Sequence, residues 1–222
     1  MNISQNIEKI NTALAGTSAR LIAVTKTKPL ADLQAAYNGN CKVFGENKVQ
    51  EMVEKWEFLP KDIEWHLIGH LQSNKVKYMA PFVSMIHSVD SLKLLQEIDK
   101  QALKNNRVID CLLQIYIAKE ETKFGLSEDE AREILDAEEF KMMKNVRIVG
   151  VMGMATFTDN QAQIRSEFKG LKVFFDELKI QYSATENLQF SEISMGMSGD
   201  YLIAAEEGST LVRVGSAIFG NR

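Results

Sequence analysis

The stretch RLIAVTKTKPLADLQAAYN, residues 20–38, decides the fold prediction. Its apolar first half predicts a β-strand over Leu21–Lys26, and the part after Pro29 predicts a helix over Leu30–Asn38. The same order of strand and then helix recurs along the rest of the chain. This alternation is typical of a parallel sheet covered by helices.

The predicted strands share short apolar runs between turn residues, and they cover Leu21–Lys26, Lys42–Glu46, Glu64–Ile68, Met85–Val89, Cys111–Ile117, Arg147–Met152, Glu192–Met195 and Leu211–Val214. The predicted helices between them cover Leu30–Asn38, Lys48–Phe58, Ser73–Met79, Ser91–Asn105, Ser127–Ala137, Gln161–Tyr182 and Tyr201–Glu207. Eight such units favour a single (β/α)8 barrel of the TIM type over residues 1–222. An additional N-terminal helix precedes it, with Ile3, Ile7, Ile10 and Leu14 on one face. An open doubly wound sheet is the alternative, although no Gly-x-Gly-x-x-Gly follows the first strand.

Composition limits the binding partners that we expect and the cellular compartment in which we expect the protein. A net charge of −4 argues against a general nucleic-acid or anionic-membrane surface. The N-terminus lacks the pattern of a secretory signal, and no apolar run approaches the ~18 residues of a membrane span. The two cysteines form no CxxC pair or disulfide framework, and Cys111 is expected to be a buried strand thiol. We therefore expect a cytoplasmic protein, and a monomer because no broad apolar extension is visible.

A lysine ends the first predicted strand, at the edge where barrel proteins place their sites. Ile22, Val24 and Lys26 share one face of the strand, because side chains alternate along it. If that face points inward, Lys26 stands at the barrel mouth on an apolar stack, where partial loss of hydration favours the neutral amine. Such an amine can form an imine with an aldehyde. Lys28 has the same parity and is a rival, although Pro29 places it in the turn.

The last two units predict a phosphate site. The segments SEISMGMSGD (191–200) and RVGSAIFG (213–220) each end a strand in glycines and serines. In barrels, the loops after strands seven and eight often bind a phosphate through backbone amides and a helix N-terminus. These strands neighbour the first strand once the barrel closes, so the lysine and the phosphate site are expected to face each other.

The motifs AVTKTKP, VFGENKVQE, EWHLIGHLQSNK, HSVDS, KFGL, GVMGM, SMGMSGD and STLVRVGSAIFG run along nearly the whole chain. Together they resemble the YggS/PROSC-like family of pyridoxal 5′-phosphate (PLP) homeostasis proteins, which share the fold of the alanine racemase N-terminal barrel. The resemblance implies that Lys26 holds PLP as a Schiff base. It also implies that Gly215 and Ser216 donate backbone amides to the phosphate, with Ser194 and Ser198 as hydroxyl donors.

The resemblance further implies that Arg213 faces the pyridine nitrogen, with Asn47 and His66 beside the ring. A guanidinium stays protonated and keeps that nitrogen unprotonated, so the ring is a weaker electron sink than one paired with a carboxylate. Such a site favours holding the cofactor. The implied function is a PLP carrier and regulator of vitamin B6 balance, with no catalytic residue assigned and PLP-dependent apo-enzymes as expected recipients.

Two enzymatic alternatives stay open. An amino-acid racemase on the same barrel needs a proton donor on each face of its planar intermediate. Lys26 could serve one face, but the chain leaves no room after Phe219 for the added domain that supplies the other in the racemases. A class I aldolase with Lys26 forming an imine to a sugar is less favoured by the motifs.

Four side chains suggest additional roles in metal or anion binding. His66 and His70 have the i, i+4 spacing of a zinc pair, but the strand-like run around them argues against a helix, and no metal is predicted. Lys75 could line the mouth and steer an anion. Lys123, after the fifth strand, is a candidate second lysine for holding or releasing PLP.

Overall fold

The computed structural model describes residues 2–118 and 125–220, and within them eight parallel strands close into a barrel in the order β1 to β8. The strands are β1 (Arg20–Val24), β2 (Val43–Glu46), β3 (Glu64–Leu67), β4 (Met85–Val89), β5 (Ile109–Gln114), β6 (Val146–Met152), β7 (Leu188–Ser194) and β8 (Leu211–Val214). Arg20 to Ala23 of β1 pair with Leu211 to Val214 of β8, which closes the sheet. The predicted (β/α)8 fold is confirmed.

Helices follow the strands around the barrel. They are α1 (Ile3–Leu14), α2 (Leu30–Asn38), α3 (Val49–Phe58), α4 (Val76–Met79), α5 (Leu92–Lys104), α6 (Glu128–Asp136), α7 (Glu138–Lys141), α8 (Gln161–Gln181), α9 (Tyr201–Glu206) and α10 (Ser216–Phe219), with a 3₁₀ turn at Ser73–Lys75. Ser91 and Ser127 cap α5 and α6 as predicted, and Ser127 forms a complete capping box with Glu130. None of these helices is long and apolar enough to cross a membrane.

Two apolar layers hold the barrel. A small cluster fills the interior, formed by Ile22, Met85, Leu112, Val149, Met152 and Leu211. A larger cluster lies between the strands and the helices and includes Phe44, Trp65 and Phe168. Ile22 lies in the inner layer and its neighbours Leu21 and Ala23 in the outer one, so the inward face of β1 is the one predicted.

The predicted strand ends differ from the structure at two places that bear on the site. β1 ends at Val24, before Lys26, because Thr27 adopts a left-handed conformation with φ 62° that an extended strand does not allow. β7 begins at Leu188, four residues earlier than predicted, because Leu188 and Phe190 are buried in alternation with exposed neighbours. The predictions also missed the short helices α7 and α10.

Candidate functional site

A pocket of about 550 Å³ opens at the carboxyl ends of the strands. The residues that line it come from the segments after β1, β2, β3, β6, β7 and β8, and they include Val24, Lys26, Lys28, Asn47, Ile68, Met154, Asp159, Met197, Ser198, Asp200, Arg213, Gly215 and Ser216. The structure therefore brings the lysine and the glycine–serine loops predicted from the sequence into one cavity.

Lys26 lines this pocket two residues beyond the end of β1. Its side chain is half-buried, and its ammonium has no hydrogen-bond or ion-pair partner among residues 2–118 and 125–220. Lys28 lines the same pocket, but its Nζ donates to the carbonyl oxygens of Phe219 at 3.4 Å and Gly220 at 3.1 Å. Of the two rival lysines, Lys26 is the one whose amine is available.

Arg213, on β8, brings a buried cation to the pocket, with only 4% of its surface exposed. Its Nη1 donates to Ser194 Oγ at 2.5 Å and its Nη2 donates to the Gly153 carbonyl at 3.0 Å. Burial lowers the pKa of Arg213 to about 10, while nearby Asp200 acts in the opposite direction. The guanidinium therefore stays protonated at neutral pH and is fixed in orientation by two acceptors.

A chain of buried side chains continues from Arg213 across the barrel interior. His87 Nδ1 lies 2.9 Å from Ser194 Oγ, and His87 Nε2 lies 2.9 Å from His66 Nδ1. Burial, with a smaller effect of Arg20, lowers the pKa of His66 to about 3. Burial, with smaller effects of His66 and Arg213, holds the pKa of His87 well below its usual value. Both imidazoles are therefore neutral at physiological pH.

The hydrogen-bonded series contains two residues that the resemblance placed at the cofactor. Ser194 is fully buried between His87 and Arg213 and is not among the residues that line the pocket. His66 is also buried outside the pocket lining and reaches Arg213 only through His87 and Ser194. The reason is that both side chains point into the barrel one layer below the mouth, where they support Arg213.

The predicted anion end is formed by the loops after β7 and β8. Ser198 Oγ accepts a hydrogen bond from the Gly215 N–H at 3.0 Å. In the structure that amide is therefore engaged within the protein, whereas the resemblance implied that it donates to a phosphate. The Ser198 hydroxyl keeps its proton to donate. Ser216 begins α10, and the first amides of a helical turn have no carbonyl partner within it. The Ser198 hydroxyl and the Ser216 amide are therefore two donors that this loop pair leaves open.

Glycine allows these loops to approach one another. Gly196 has φ +95°, and a Cβ there would lie 2.5 Å from Ala204 Cβ, so only glycine fits where the chain turns from β7 towards α9. Gly69 lies against the backbone of Asn47, where a Cβ would come 2.5 Å from the Asn47 carbonyl oxygen. Asn47 is half-buried and lines the pocket.

The remaining candidates lie elsewhere. Lys75 is not among the lining residues, and its Nζ lies 5.9 Å from the centre of the Tyr78 ring. Lys123 falls outside the residues that the structure describes. His70 is exposed and lies 3.5 Å from Asp90, and in the described ranges no group of three or more His, Cys, Asp or Glu is placed to hold a metal ion. Cys111 is buried in β5 as a free thiol, as predicted.

Sequence reasoning missed two residues of this region. His87 was not singled out, although its spacing from Met85 on β4 places it on the inward face. Asp200 lines the pocket, and its Oδ1 accepts from the Met197 N–H at 2.5 Å. Burial raises the pKa of Asp200, against the lowering effects of the Met197 amide and Arg213.

A closed parallel barrel whose mouth joins a lysine, a buried arginine and two glycine–serine loops defines a class: (β/α)8 proteins with a lysine-bearing pocket at the barrel mouth. In a comparison with protein families, the sequence model of the alanine racemase N-terminal domain family matches residues 1–222 of this chain. A pyridoxal phosphate homeostasis protein of Aquifex aeolicus is 41% identical over 206 residues, 92% of this chain and 87% of the relative. One from Haemophilus influenzae is 35% identical, covering 100% of this chain and 97% of the relative.

The solved structure of PipY from Synechococcus elongatus PCC7942 with PLP bound has a TM-score of 0.86 and 34% identity, covering 98% of this chain and all of the PipY chain. The chain therefore belongs to the alanine racemase N-terminal domain family and, within it, to the pyridoxal phosphate homeostasis proteins.

Proposed function

We propose that this protein binds PLP, holds it covalently on Lys26 and serves as a reserve from which the cofactor is delivered to PLP-dependent apo-enzymes. The observation that carries the proposal is the meeting, in one pocket, of an unpartnered lysine amine, a protonated buried arginine and two anion-binding loops. The names of the relatives and the PLP in the PipY structure support the same reading.

The groups present suit this cofactor. PLP supplies an aldehyde that condenses with a primary amine, releasing one water, and a phosphate that accepts hydrogen bonds. Lys26 provides the amine. Ser198 and Ser216 provide donors for an anion on the neighbouring loops, and Asn47 provides an amide from the segment after β2.

Arg213 shapes what the bound ring could do. It is a permanent donor at neutral pH, and its orientation is fixed by Ser194 and Gly153. A donor of this kind leaves a ring nitrogen unprotonated, which weakens the ring as an electron sink. The arrangement favours retention of the cofactor over carbanion chemistry.

The amino-acid racemase is the second candidate, and the pocket lining disfavours it. A two-base mechanism needs acid–base groups on both faces of the substrate. Among the described lining residues there is no Tyr, His or Cys. The Asp200 carboxylate is engaged with the Met197 amide, Asp159 is exposed on the segment after β6, and the Lys28 amine donates to backbone carbonyls. We therefore propose a holding role without robust catalysis.

The proposal is tested by saturating the purified protein with PLP, reducing it with borohydride and removing unattached ligand under denaturing conditions. Wild type and Lys28→Ala should both keep the pyridoxyl absorbance on the chain, whereas Lys26→Ala should keep none. Loaded wild-type protein should then restore activity to an apo-enzyme depleted of PLP. Exchange of the α-hydrogen of alanine with solvent deuterium at an enzymatic rate would contradict the holding role and favour the racemase.

A further inference from the structure

A buried ionic cluster lies directly behind the loop that carries Lys26. Lys55, on α3, is buried, and its Nζ donates to Glu46 Oε1 at 2.6 Å, to Glu51 Oε1 at 2.6 Å and to the Thr25 carbonyl at 2.7 Å. An ammonium has three donors, so all three are used. Glu46 lies at the end of β2, and Glu51 and Lys55 lie on α3. We call these three residues the α3 cluster.

The α3 cluster holds the chain on both sides of Lys26. On one side, Thr25 Oγ1 donates a hydrogen bond to Glu46 Oε1 at 2.6 Å, and the Thr25 carbonyl oxygen accepts one from Lys55 Nζ. On the other side, the Thr27 N–H donates to Glu51 Oε1 at 2.5 Å. Thr27 has φ 62°, a left-handed conformation that is unfavourable for a β-branched residue. The contact with Glu51 therefore keeps Thr27 in a conformation that it would otherwise leave.

Stability alone is a poor explanation for this arrangement. Removing charged groups from water offsets most of what a buried ion pair gains, so such pairs are weak stabilisers of a fold. Burial raises the pKa of Glu46 against the lowering effects of Lys55 and Thr25, which shows that the carboxylate is held in an unfavourable environment. A geometric role for the cluster accounts for its position on the two neighbours of Lys26.

We propose that the α3 cluster positions Lys26, fixing the loop after β1 so that the amine stands in the pocket ready to bond an aldehyde. The inference deepens the proposed function and rests on it, since it takes Lys26 as the bonding residue. The anion side of the pocket is held by other contacts, those of Ser198 with Gly215 and of Arg213 with Ser194. Loss of the α3 cluster should therefore impair covalent capture and spare anion binding.

The test compares two measurements on three variants of α3. Affinity is measured with pyridoxine 5′-phosphate, which has the ring and the phosphate but no aldehyde. Covalent capture of PLP is measured by stopped-flow absorbance. Glu51→Ala frees the Thr27 amide, Glu51→Gln retains an oxygen that accepts from it, and Glu54→Ala removes an exposed carboxylate of the same helix as the matched control.

Glu51→Ala should slow capture by about tenfold to a hundredfold, the scale expected when a reacting group is displaced by about 1 Å. Its affinity for pyridoxine 5′-phosphate should stay within about twofold of wild type, because phosphate contacts do not depend on the cluster. Glu51→Gln should recover most of the capture rate, and Glu54→Ala should match wild type. In the Glu51→Ala background, Thr27→Gly should restore part of the rate, because glycine adopts the left-handed conformation unaided.

Capture by Glu51→Ala at the wild-type rate overturns this inference alone. An equal loss of capture and of pyridoxine 5′-phosphate affinity overturns it as well, because the cluster would then support the fold and not the lysine. If Glu51→Ala does not fold, failure of Glu51→Gln to recover most of the capture rate overturns the inference as well. Absence of capture in wild type itself overturns the proposed function and this inference together.

Discussion

Acidification should destabilise this barrel in a way that depends on one buried imidazole. His66 is buried on β3 and hydrogen-bonded to His87, and burial lowers its pKa from 6.5 to about 3. The unfolded chain therefore binds a proton at a higher pH than the folded chain does. The stability that His66 contributes is complete above pH 6.5 and is lost progressively as the pH falls towards 3.

The size of the effect follows from these two pKa values. Taken over the whole interval, the difference corresponds to about 5 kcal/mol of unfolding free energy. Between about pH 7.5 and about pH 4.5, the loss assigned to His66 is about 2.7 kcal/mol. This is a large share of the ~5–15 kcal/mol that stabilises a typical domain. Protonation of His87 acts in the same direction, since burial lowers its pKa as well.

The assay is denaturant unfolding across this pH range in wild type and in His66→Asn. Asparagine keeps a hydrogen-bonding group near the Nδ1 position and does not titrate, so the variant starts less stable but loses less stability on acidification. His70→Asn removes an exposed histidine and is the matched control. Parallel curves of stability against pH for wild type and His66→Asn would refute the claim that His66 is held neutral in the fold.

Three further predictions follow from burial and close contact. In Gly215→Val, the branched side chain would stand in the pocket lining, with its Cβ 3.3 Å from Val24. The loss of binding free energy for pyridoxine 5′-phosphate should therefore be much larger than the loss of unfolding free energy. Equal losses of the two free energies would place Gly215 in the core instead. Ser194→Ala should lower the unfolding free energy by about 1–3 kcal/mol, because a buried guanidinium and an imidazole lose the oxygen between them, and unchanged stability at neutral pH would contradict this. Burial raises the pKa of Cys41 to about 11 and also raises the pKa of Cys111. A thiol reagent should therefore modify the folded protein about a hundredfold more slowly than the denatured chain. Rapid labelling of the folded protein would show that these thiols are accessible.

The sequence was enough to predict the barrel because each strand shows a local signal. Apolar runs bounded by turns identify the strands, and their alternation with helices predicts parallel pairing. The alternation of β1 placed Ile22 on the inward face, but β1 ends at Val24, so strand parity does not account for Lys26, which reaches the pocket from the turn after the strand. The start of β7 was missed because Leu188 and Phe190 alternate with polar residues in too short a run to stand out.

The support for the site could not be predicted, because it depends on contacts between distant parts of the chain. His87 and Ser194 are 107 positions apart, and their hydrogen bond exists only once β4 and β7 face each other across the barrel. For the same reason, the sequence alone did not show that the Ser194 hydroxyl accepts a hydrogen bond from Arg213. Lys55 resembles any helical lysine in the sequence, and only the packing of α3 against the loop after β1 shows it to be buried between two carboxylates.

In the proposed function, one amine, at residue 26, bonds the cofactor. Peptide mass spectrometry of PLP-saturated protein after borohydride reduction locates the pyridoxyl group on the chain. The label should lie on Lys26 and should be lost in Lys26→Ala. A label on Lys28 or on any other lysine, or no label at saturating PLP, would contradict the proposed function.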